Sequence, residues 1–399
     1  MNQKGVAITG MGIISSIGKT IEENRDALIA GKHGISRIEN FATKQKDHIW
    51  VGEIKLSNEA LAEQLALPAG HNFTRTSLLG LYAAKAAVQS AGIQDLGTAR
   101  TGLISSTSVG GMDYTERYFY DYLQHNDQHR YITTHDAGDS TQHIADYLGI
   151  HDLVTTISTA CSSAANAIMM GARLIKSGRL DRVIVGGTDA LSKFTINGFK
   201  TLMILTDDLC QPFDEERRGL NLGEAAAYLV LESEELLLAE KRTPLAYLRG
   251  YGNANDAFHQ TASSENGEGA FLAMQQALQV AALAPSAIDY VNAHGTATPN
   301  NDLSEGYALL RVFNDAVPMF SSTKAFTGHT LAAAAAIEAV YSVIALQEQV
   351  VFPNLHFKTP MQAFHLLPET ETTHKPLQHV LSNSFGFGGN CSTLIFSKA

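Results

Sequence analysis

The sequence predicts an α/β protein in which buried strands alternate with Ala-rich helices. Short runs of β-branched residues recur along the chain, and stretches with the Ala and Leu spacing of helices separate them. Apolar residues make up 45% of the 399 residues and charged residues 17%, which is typical of a globular chain long enough for a sizeable core. Strands separated by helices throughout favour mostly parallel, buried sheets.

The first predicted strand covers residues 5–16, an apolar and β-branched run that ends in a turn. A helix over 76–92 follows from its Ala and Leu spacing, and it should stop at Gly92 because glycine favours a helix C-terminus. Further β-branched runs predict strands at 100–106, 182–187, 224–232 and 244–251. The charged segment 232–242 is the best internal boundary. We therefore expect an N-terminal half over 1–240 and a C-terminal half over 241–399.

The second half repeats the alternation of strands and helices. Its predicted elements are strands at 290–294 and 319–322, a long helix at 331–347, and a strand pair at 379–384 and 392–397. The chain has no short-period repeat. A duplicated fold whose halves have diverged in sequence stays open, because one sequence does not exclude it.

Charge and cysteine content restrict the classes of function. The chain has 40 acidic and 29 basic residues, a net charge of −11, which disfavours nucleic acid as a partner. Three cysteines cannot build a disulfide framework and indicate a reducing compartment. The first 18 residues are interrupted by glycines and polar residues, and the most apolar stretch, 330–351, contains Glu338. We expect a soluble, cytoplasmic protein with no membrane partner.

The segment 155–177, TTISTACSSAANAIMMGARLIKS, carries the strongest candidate for a nucleophile. A β-branched run leads to Cys161, and the apolar spacing that follows predicts a helix. A thiol at a helix N-terminus faces free N–H groups and the macrodipole, which favour the thiolate and lower the thiol pKa. Free cysteines are also common as small buried residues, so a structural role for Cys161 stays open. Cys210 and Cys391 lack such a context.

Two histidines share a second pattern. His294 and His329 each follow a predicted strand, and each stands beside a glycine and a threonine. In open α/β sheets the carboxyl ends of strands carry the active sites, and two neutral imidazoles can stabilise an enolate or an oxyanion. A lone histidine is more often a surface or satisfied core residue. Lys324 lies five residues before His329, and Glu338 is its nearest plausible counter-charge in sequence.

The loop 384–390, SFGFGGN, joins the last two predicted strands. Gly386, Gly388 and Gly389 permit positive φ angles and close approach to a ligand. A tight turn alone would explain two of these glycines.

Several of these motifs, in this order, resemble the β-ketoacyl-acyl-carrier-protein synthases, the decarboxylating condensing enzymes of the thiolase superfamily. The similarity is greatest to the type II elongating enzymes. It covers nearly the whole chain and is carried by VAITGMGIISSIG, STACSSAANAI, PFDEERRGLNLGEAAAYLVLE, NAHGTATPNND, STKAFTGHTLAAAAAIEA and SNSFGFGGN. The resemblance implies a thiolase-like five-layered αβαβα fold of two similar halves, assembled as a dimer whose acyl tunnel ends at the subunit interface.

The resemblance also implies roles for the catalytic residues. Cys161 would carry the acyl group, while His294 and His329 would bind the malonyl thioester carbonyl and drive decarboxylation. Lys324 would hold the electrostatics of the site with Glu338. The backbone N–H groups of Cys161 and Phe387 would form the oxyanion hole.

Further positions match parts of the family that contact substrate. Phe387 would gate acyl entry, with Gly386 and Gly388 beside it, and Thr296 and Thr298 would bind the phosphopantetheine arm. Asp256 and His259 match a mobile loop near this gate, and Val109 matches a position lining the acyl pocket. No cofactor is expected beyond the phosphopantetheine arm of acyl carrier protein, and no metal.

The chain departs from the family at several positions. Alanines at 332–336 stand where relatives commonly have glycine, and Arg218–Gly219 replaces the usual Asp–Gly. Relatives often carry Lys and Arg near Arg75 and Arg130 for docking acidic carrier protein, but these regions hold few other positive charges here. These departures favour a specialised polyene or polyketide pathway over primary fatty acid synthesis. The partner would be a second copy or a chain-length-factor-like homologue lacking the nucleophile, and part of the docking surface would lie on that partner.

Other readings remain at this stage. A non-decarboxylating thiolase would use one histidine and a second cysteine, such as Cys391. A nucleotide site is disfavoured because the first glycines, Gly10 and Gly12, are followed by Ser15 rather than a third glycine. Five histidines are close in sequence, at positions 125, 129, 135, 143 and 151. They form either a metal site or part of a solvated surface. A non-catalytic partner subunit would need Cys161 to be vestigial.

Overall fold

The computed structural model describes residues 5–314 and 316–399; residues 1–4, where the predicted N-terminal half begins, and residue 315 lie outside the described residues. The strands are β1 Val6–Ile14, β2 Val51–Gly52, β3 Thr101–Ser106, β4 Leu153–Ile157, β5 Arg182–Asp189, β6 Leu222–Gly223, β7 Ala225–Glu232, β8 Ala246–Asn255, β9 Tyr290–Asn292, β10 Met319–Ser321, β11 Val350–Val351, β12 Thr373–His374, β13 His379–Phe385 and β14 Asn390–Lys398. The α-helices are α1 Ile21–Ile29, α2 Asn58–Gln64, α3 Arg75–Ser90, α4 Met112–Tyr118, α5 His129–Ile132, α6 Ala137–Leu148, α7 Ser163–Lys176, α8 Lys193–Thr201, α9 Glu234–Glu240, α10 Glu268–Ala281, α11 Pro299–Phe313, α12 Lys324–Thr327 and α13 Ala334–Glu348.

The main sheet has ten strands in the order β10-β9-β13-β14-β8-β1-β7-β5-β3-β4. Parallel pairs occur only at its two ends, where β9 pairs with β10 and β13, and β3 pairs with β4 and β5. The central pairs are antiparallel. The prediction of a mostly parallel sheet is therefore wrong. Helical crossovers permit parallel pairing at the ends, whereas the four-residue loop between β13 and β14 is long enough only for an antiparallel turn.

The two halves of the sheet have the same topology. Each half begins with a strand that lies at the centre of the sheet, β1 or β8, and the later strands follow in the same relative positions. In each half that first strand also packs glycines against a helix. Gly12 approaches Ala83 of α3, and Gly252 approaches Ala273 of α10. The duplicated fold that the sequence left open is thus present in the chain.

Helices cover both faces of the two half-sheets and also separate them. On one side α3 packs on β1, β5 and β7, and on the other α10 packs on β8 and β14. The helices α7 and α13 lie between the halves, because α13 contacts β7 as well as β13 and α7 contacts β5 as well as β14. The result is the five-layered αβαβα arrangement implied by the resemblance.

The central helix α13 is buried along almost its whole length. The segment Leu331–Glu348, which contains α13 and the turn before it, is long and apolar enough to cross a membrane by composition, but 89% of it is buried inside the protein. A helix that is apolar on every side is expected in the core of a large soluble domain. Glu338, the buried acidic residue of α13, faces an ion-pair partner described below.

Candidate active site

Cys161 lies in the turn between β4 and α7, as the sequence predicts. The preceding residue, Ala160, has a φ of +52°, which L-residues rarely adopt. Ser163 Oγ donates to the Ala160 carbonyl at 2.5 Å and accepts from the Thr159 N–H at 2.8 Å. These bonds hold the turn in this conformation, so that the buried sulfur stands at the start of α7.

Burial raises the pKa of the Cys161 thiol to about 11. The positive charge of Lys324 and the backbone N–H of Phe387 both lower this pKa, but they do not offset desolvation of the sulfur. The prediction that the helix N-terminus gives a lowered thiol pKa is therefore wrong. Cys161 rests as a neutral thiol, and its proton must leave during the reaction.

The Gly-rich loop between β13 and β14 packs directly on the Cys161 turn. A Cβ atom at Gly386 would lie 2.7 Å from the Thr159 carbonyl oxygen, so this position accepts only glycine without a shift. Asn390 Oδ1 accepts from Ser162 Oγ at 2.7 Å and fixes the loop to the turn. The N–H of Phe387 is thereby directed at the Cys161 sulfur, where the N–H of Cys161 also lies.

His294 and His329 come together although 35 positions separate them in the sequence. Their ring centroids are 5.5 Å apart and the ring planes are nearly perpendicular, at 87°. Both side chains are buried. Burial, with the nearby positive charge of Lys324, lowers the pKa of each imidazole well below its usual value, so both are neutral at pH 7.

The backbone around His329 selects one tautomer of its ring. The N–H of Leu331 donates to His329 Nδ1 at 3.2 Å, so Nδ1 carries no proton. In a neutral imidazole the proton is then on Nε2. His329 consequently offers one N–H donor to the cavity that it lines.

Lys324 and Glu338 form a buried ion pair. Lys324 Nζ lies 2.5 Å from Glu338 Oε1, and their side chains are 3% and 1% exposed. The sequence predicts this pair because Glu338 is the nearest plausible counter-charge to Lys324 along the chain. Lys324 places its positive charge beside the thiol and both imidazoles, and close contact with Glu338 compensates its desolvation.

Sequence reasoning missed two buried carboxylates. Glu305 on α11 accepts the backbone N–H groups of His294 and Gly295 at 2.9 and 2.8 Å, and burial raises its pKa to about 7. Asp189, at the end of β5, accepts the Ala332 N–H at 2.8 Å, and burial raises its pKa to about 6. The signal for Glu305 was an acidic residue three positions after Asp302 on the buried face of an amphipathic helix.

A cavity of about 220 Å³ leads from the surface to Cys161, His294 and His329. Most of the predicted site residues line it: Cys161, Asp256, His259, His294, Thr296, Thr298, His329, Gly386, Phe387 and Gly388. Thr296 and Thr298 lie close together, with their hydroxyl oxygens 2.9 Å apart. Phe387 stacks on Phe199, with ring centroids 6.0 Å apart. The cavity is mainly apolar with a few polar groups, which suits a thioester arm.

Other predicted residues lie behind this cavity or away from it. Lys324 and Glu338 lie behind its wall. Val109 does not line it either, because its loop folds onto Asp189, to which the Val109 N–H donates at 3.4 Å. In the described part of the chain, no three side chains of the types that ligate metals come together, and the histidines between 125 and 151 are included in that statement.

Arg75 does not belong to a docking surface. It is 6% exposed and donates to both carboxylate oxygens of Glu224 at 2.8 and 2.6 Å. A side chain held in this way cannot reach a partner protein, which agrees with the weak basic character expected of this region. Arg130 is exposed and stacks on Tyr131, with its guanidinium carbon 4.7 Å from the ring centroid.

Comparison with known proteins gives a consistent set of relatives. The model of the beta-ketoacyl synthase N-terminal domain matches residues 3–236, and that of the C-terminal domain matches residues 245–358. A 3-oxoacyl-[acyl-carrier-protein] synthase 2 of Staphylococcus aureus is 32% identical over 99% of this chain and 98% of its own length. The ishigamide ketosynthase/chain length factor is similar in structure, with a TM-score of 0.91 and 29% identity over 99% of both chains. A ketosynthase of Xenorhabdus doucetiae, solved in complex with its chain length factor, gives a TM-score of 0.85 and 31% identity over 99% of this chain and 98% of that one.

Proposed function

This chain belongs to the beta-ketoacyl synthase family, and from that membership we propose that it condenses an acyl group held on Cys161 with malonyl-acyl carrier protein. The product is a β-ketoacyl-acyl carrier protein, two carbons longer, in fatty acid or polyketide elongation. One observation carries the proposal. A single cavity brings the Cys161 thiol together with two neutral, buried imidazoles.

The first half-reaction transfers the acyl group to the enzyme. The Cys161 sulfur attacks the carbonyl carbon of the acyl thioester, and the thiol proton passes to the departing phosphopantetheine sulfur. The tetrahedral oxyanion is stabilised by the N–H groups of Cys161 and Phe387, which already point at the sulfur. The carbon–sulfur bond to the carrier breaks, and an acyl-Cys161 thioester remains.

The second half-reaction breaks one carbon–carbon bond and forms another. The malonyl thioester loses CO₂, and the electron pair of that bond becomes an enolate. Imidazole N–H groups of His329 and His294 stabilise the enolate oxygen, and neutral rings suit this role because each can present an N–H donor. The enolate carbon attacks the acyl-Cys161 carbonyl to give a tetrahedral intermediate. This intermediate collapses with cleavage of the carbon–sulfur bond, and the Cys161 thiolate that leaves takes up one proton from solvent to return to the neutral thiol.

The remaining groups position the reactants. The Lys324–Glu338 pair provides positive charge beside the enolate without lining the cavity. The Thr296 and Thr298 hydroxyls offer hydrogen bonds to the amide groups of the phosphopantetheine arm. The chemistry requires no cofactor beyond that arm and no metal.

A thiolase-like reaction is the second candidate, because Cys391 lines the same cavity. A second cysteine that transfers protons needs an accessible thiolate. Burial, with Asp256 and Glu305 nearby, instead raises the pKa of Cys391 strongly. Burial raises the pKa of Cys161 in the same way, so the pair of neutral imidazoles, His294 and His329, is the observation that favours decarboxylation.

The partners of this proposed reaction are acyl carrier protein and a second ketosynthase-like subunit. The Staphylococcus aureus relative is named for its carrier-protein substrate, and the Xenorhabdus doucetiae relative forms a complex with a chain length factor. We place the reaction in the cytoplasm. A role as the inactive member of such a pair is disfavoured by the intact cavity around Cys161.

Intact mass spectrometry after incubation with a panel of acyl-acyl carrier proteins tests the proposal. The wild-type chain is expected to gain the mass of one acyl group, and Cys161→Ala is expected to gain none. Cys391→Ala is the matched control, because it removes the other thiol that lines the cavity and should still be acylated. Acylation that survives in Cys161→Ala, or that is lost in Cys391→Ala, would contradict the assignment.

A further inference from the structure

Asp189 connects the two halves of the molecule beside the active site. It is fully buried at the end of β5 and accepts hydrogen bonds from two directions. On one side its Oδ1 accepts from Thr107 Oγ1 at 2.5 Å and from the Ser108 N–H at 3.0 Å. On the other side its Oδ2, which also accepts from the Ser108 N–H at 3.0 Å, accepts the N–H of Ala332 at 2.8 Å, across 143 positions of sequence.

The segment that Asp189 holds is the one that orients His329. Leu331 has a φ of +54°, a conformation that is unfavourable for a leucine. In this conformation its N–H donates to His329 Nδ1. The next residue, Ala332, is the one whose N–H is bound by Asp189. The strained turn is therefore anchored on its C-terminal side by a carboxylate that belongs to the other half of the chain.

We propose that Asp189 is a positioning residue for His329. It acts through the Leu331–Ala332 backbone, which keeps the Leu331 N–H bonded to His329 Nδ1 and the ring proton on His329 Nε2. Without Asp189 the Ala332 N–H has no acceptor in this turn, and Leu331 can relax to a negative φ. His329 Nδ1 then loses its donor, and the ring populates the other tautomer or turns away. This inference rests on the proposed role of His329 in decarboxylation.

The obvious alternative is that Asp189 only stabilises the fold. Asp214 provides the comparison, because it is equally buried and its carboxylate also accepts backbone N–H groups, from Lys358 and Thr359. Asp214 has no contact with the His329 turn among its hydrogen bonds in the described residues. A purely structural carboxylate and a positioning carboxylate should therefore behave differently in the two half-reactions.

The test compares Asp189→Ala with Asp214→Ala and Thr107→Val in the full chain. We expect Asp189→Ala to slow malonyl decarboxylation by about 10–100-fold while acyl loading of Cys161 changes by less than about threefold. Asp214→Ala is expected to lower the melting temperature without separating the two half-reactions. Thr107→Val removes one of the bonds on the loop side, leaves the Ala332 N–H bond to Asp189 in place, and should leave decarboxylation near the wild-type rate. If Asp189→Ala fails to fold, Asp189→Asn keeps the side-chain shape and one acceptor oxygen, and it should show a smaller loss of decarboxylation.

A spectroscopic readout separates positioning from general damage. In ¹⁵N-histidine-labelled protein, the His329 signals, assigned by their loss in His329→Ala, should show one protonated and one bare ring nitrogen. In the Asp189 variant they should shift toward a mixture of tautomers. Unchanged His329 signals, or equal loss of both half-reactions, would overturn the inference. If His329→Ala itself leaves decarboxylation intact, the proposed function of His329 fails instead.

Discussion

At the scale of single residues, burial controls the protonation of the reacting groups. It raises the pKa of the Cys161 thiol and lowers the pKa of both imidazoles, so all three rest in their neutral forms at pH 7. A neutral imidazole can donate one N–H hydrogen bond to an enolate oxygen. Because their pKa values are lowered, these two rings do not change charge near pH 6.5, where a free imidazole titrates. A neutral thiol is slower to react, and the N–H groups around the sulfur become important because they favour the charged transition state.

The rate of Cys161 alkylation by iodoacetamide should report its raised pKa. Below a pKa of about 11 the thiolate fraction rises about tenfold for each pH unit, so the rate is expected to climb continuously from pH 7 to pH 9. Mass spectrometry measures the modified fraction, and Cys161→Ala provides the background from the other two cysteines. A plateau reached near pH 7 would mean that the thiol pKa is lowered instead.

Removing either histidine should separate the half-reactions. His294→Ala or His329→Ala is expected to reduce malonyl decarboxylation by about a hundredfold or more, because an enolate loses a preorganised donor. Acyl loading of Cys161 forms no enolate and should be less affected. His259→Ala, which changes another histidine on the cavity wall, serves as the control. Equal loss of loading and decarboxylation would contradict this division of labour.

The sequence identified the reacting residues, but it did not identify all of the residues that position them. Strand ends and glycine-rich turns indicated Cys161, His294 and His329, because those patterns are local in the chain. The sign of the thiol pKa shift was wrong, since burial depends on the packing of distant segments. Asp189 gave no signal of its own, because its partner Ala332 lies in the other half of the molecule.

At the scale of elements, the first strand of each half packs very closely on an outer helix. A Cβ atom at Gly12 of β1 would lie 2.2 Å from the Ala83 carbonyl oxygen of α3. A Cβ atom at Gly252 of β8 would lie 2.1 Å from the Ala273 carbonyl oxygen of α10. Real Cβ atoms do not approach backbone oxygens so closely, so glycine permits each helix to lie directly on its strand. The same glycine-to-helix contact occurs in both halves, as expected for a duplicated fold.

Gly12→Ala should therefore destabilise the protein. The added methyl group forces β1 and α3 apart, and we expect a cost of about 1–3 kcal/mol, visible as a lower melting temperature. Gly198→Ala is the matched control, because Gly198 lies inside α8 with open space around its Cβ position. It should be neutral or stabilising by about 0.5–1 kcal/mol, since alanine favours helix. A Gly12→Ala variant as stable as wild type would show that this packing can relax.

The extents of the elements were predicted to within a few residues, but the direction of the strands was not. The predicted helix 76–92 is observed as Arg75–Ser90, and the predicted strand pair near the C-terminus is observed as β13 and β14. Periodicity identifies such elements because it depends only on neighbouring residues. Pairing direction depends on how distant strands meet, and the antiparallel centre of the sheet arises where the two halves join through β1 and β8.

At the scale of the whole molecule, one edge of the main sheet is open. Strand β4 is the last strand on that side, and its residues Leu153–Ile157 are only partly buried. An apolar edge strand with unpaired backbone groups is a template for pairing with another chain. The segment that follows α4, in the same half of the chain, also exposes large apolar side chains, with Tyr120 84% and Leu123 78% exposed. These two features together indicate the face on which a homologous subunit would pack.

Charge at this exposed apolar face should break the assembly and leave the fold intact. We expect Tyr120→Glu and Leu123→Asp to convert a dimer to monomer in native mass spectrometry, because burying a new carboxylate without a partner costs several kcal/mol. Leu238→Asp is the matched control, since Leu238 is 74% exposed on α9 and its change should leave the dimer in place.

Co-expression with the products of neighbouring genes identifies the partner. A copurifying homologue without the nucleophilic cysteine would make the assembly a heterodimer. A stable homodimer with full condensing activity would instead show that the second subunit is another copy of this chain. Dimers that persist in both charged variants would place the interface elsewhere.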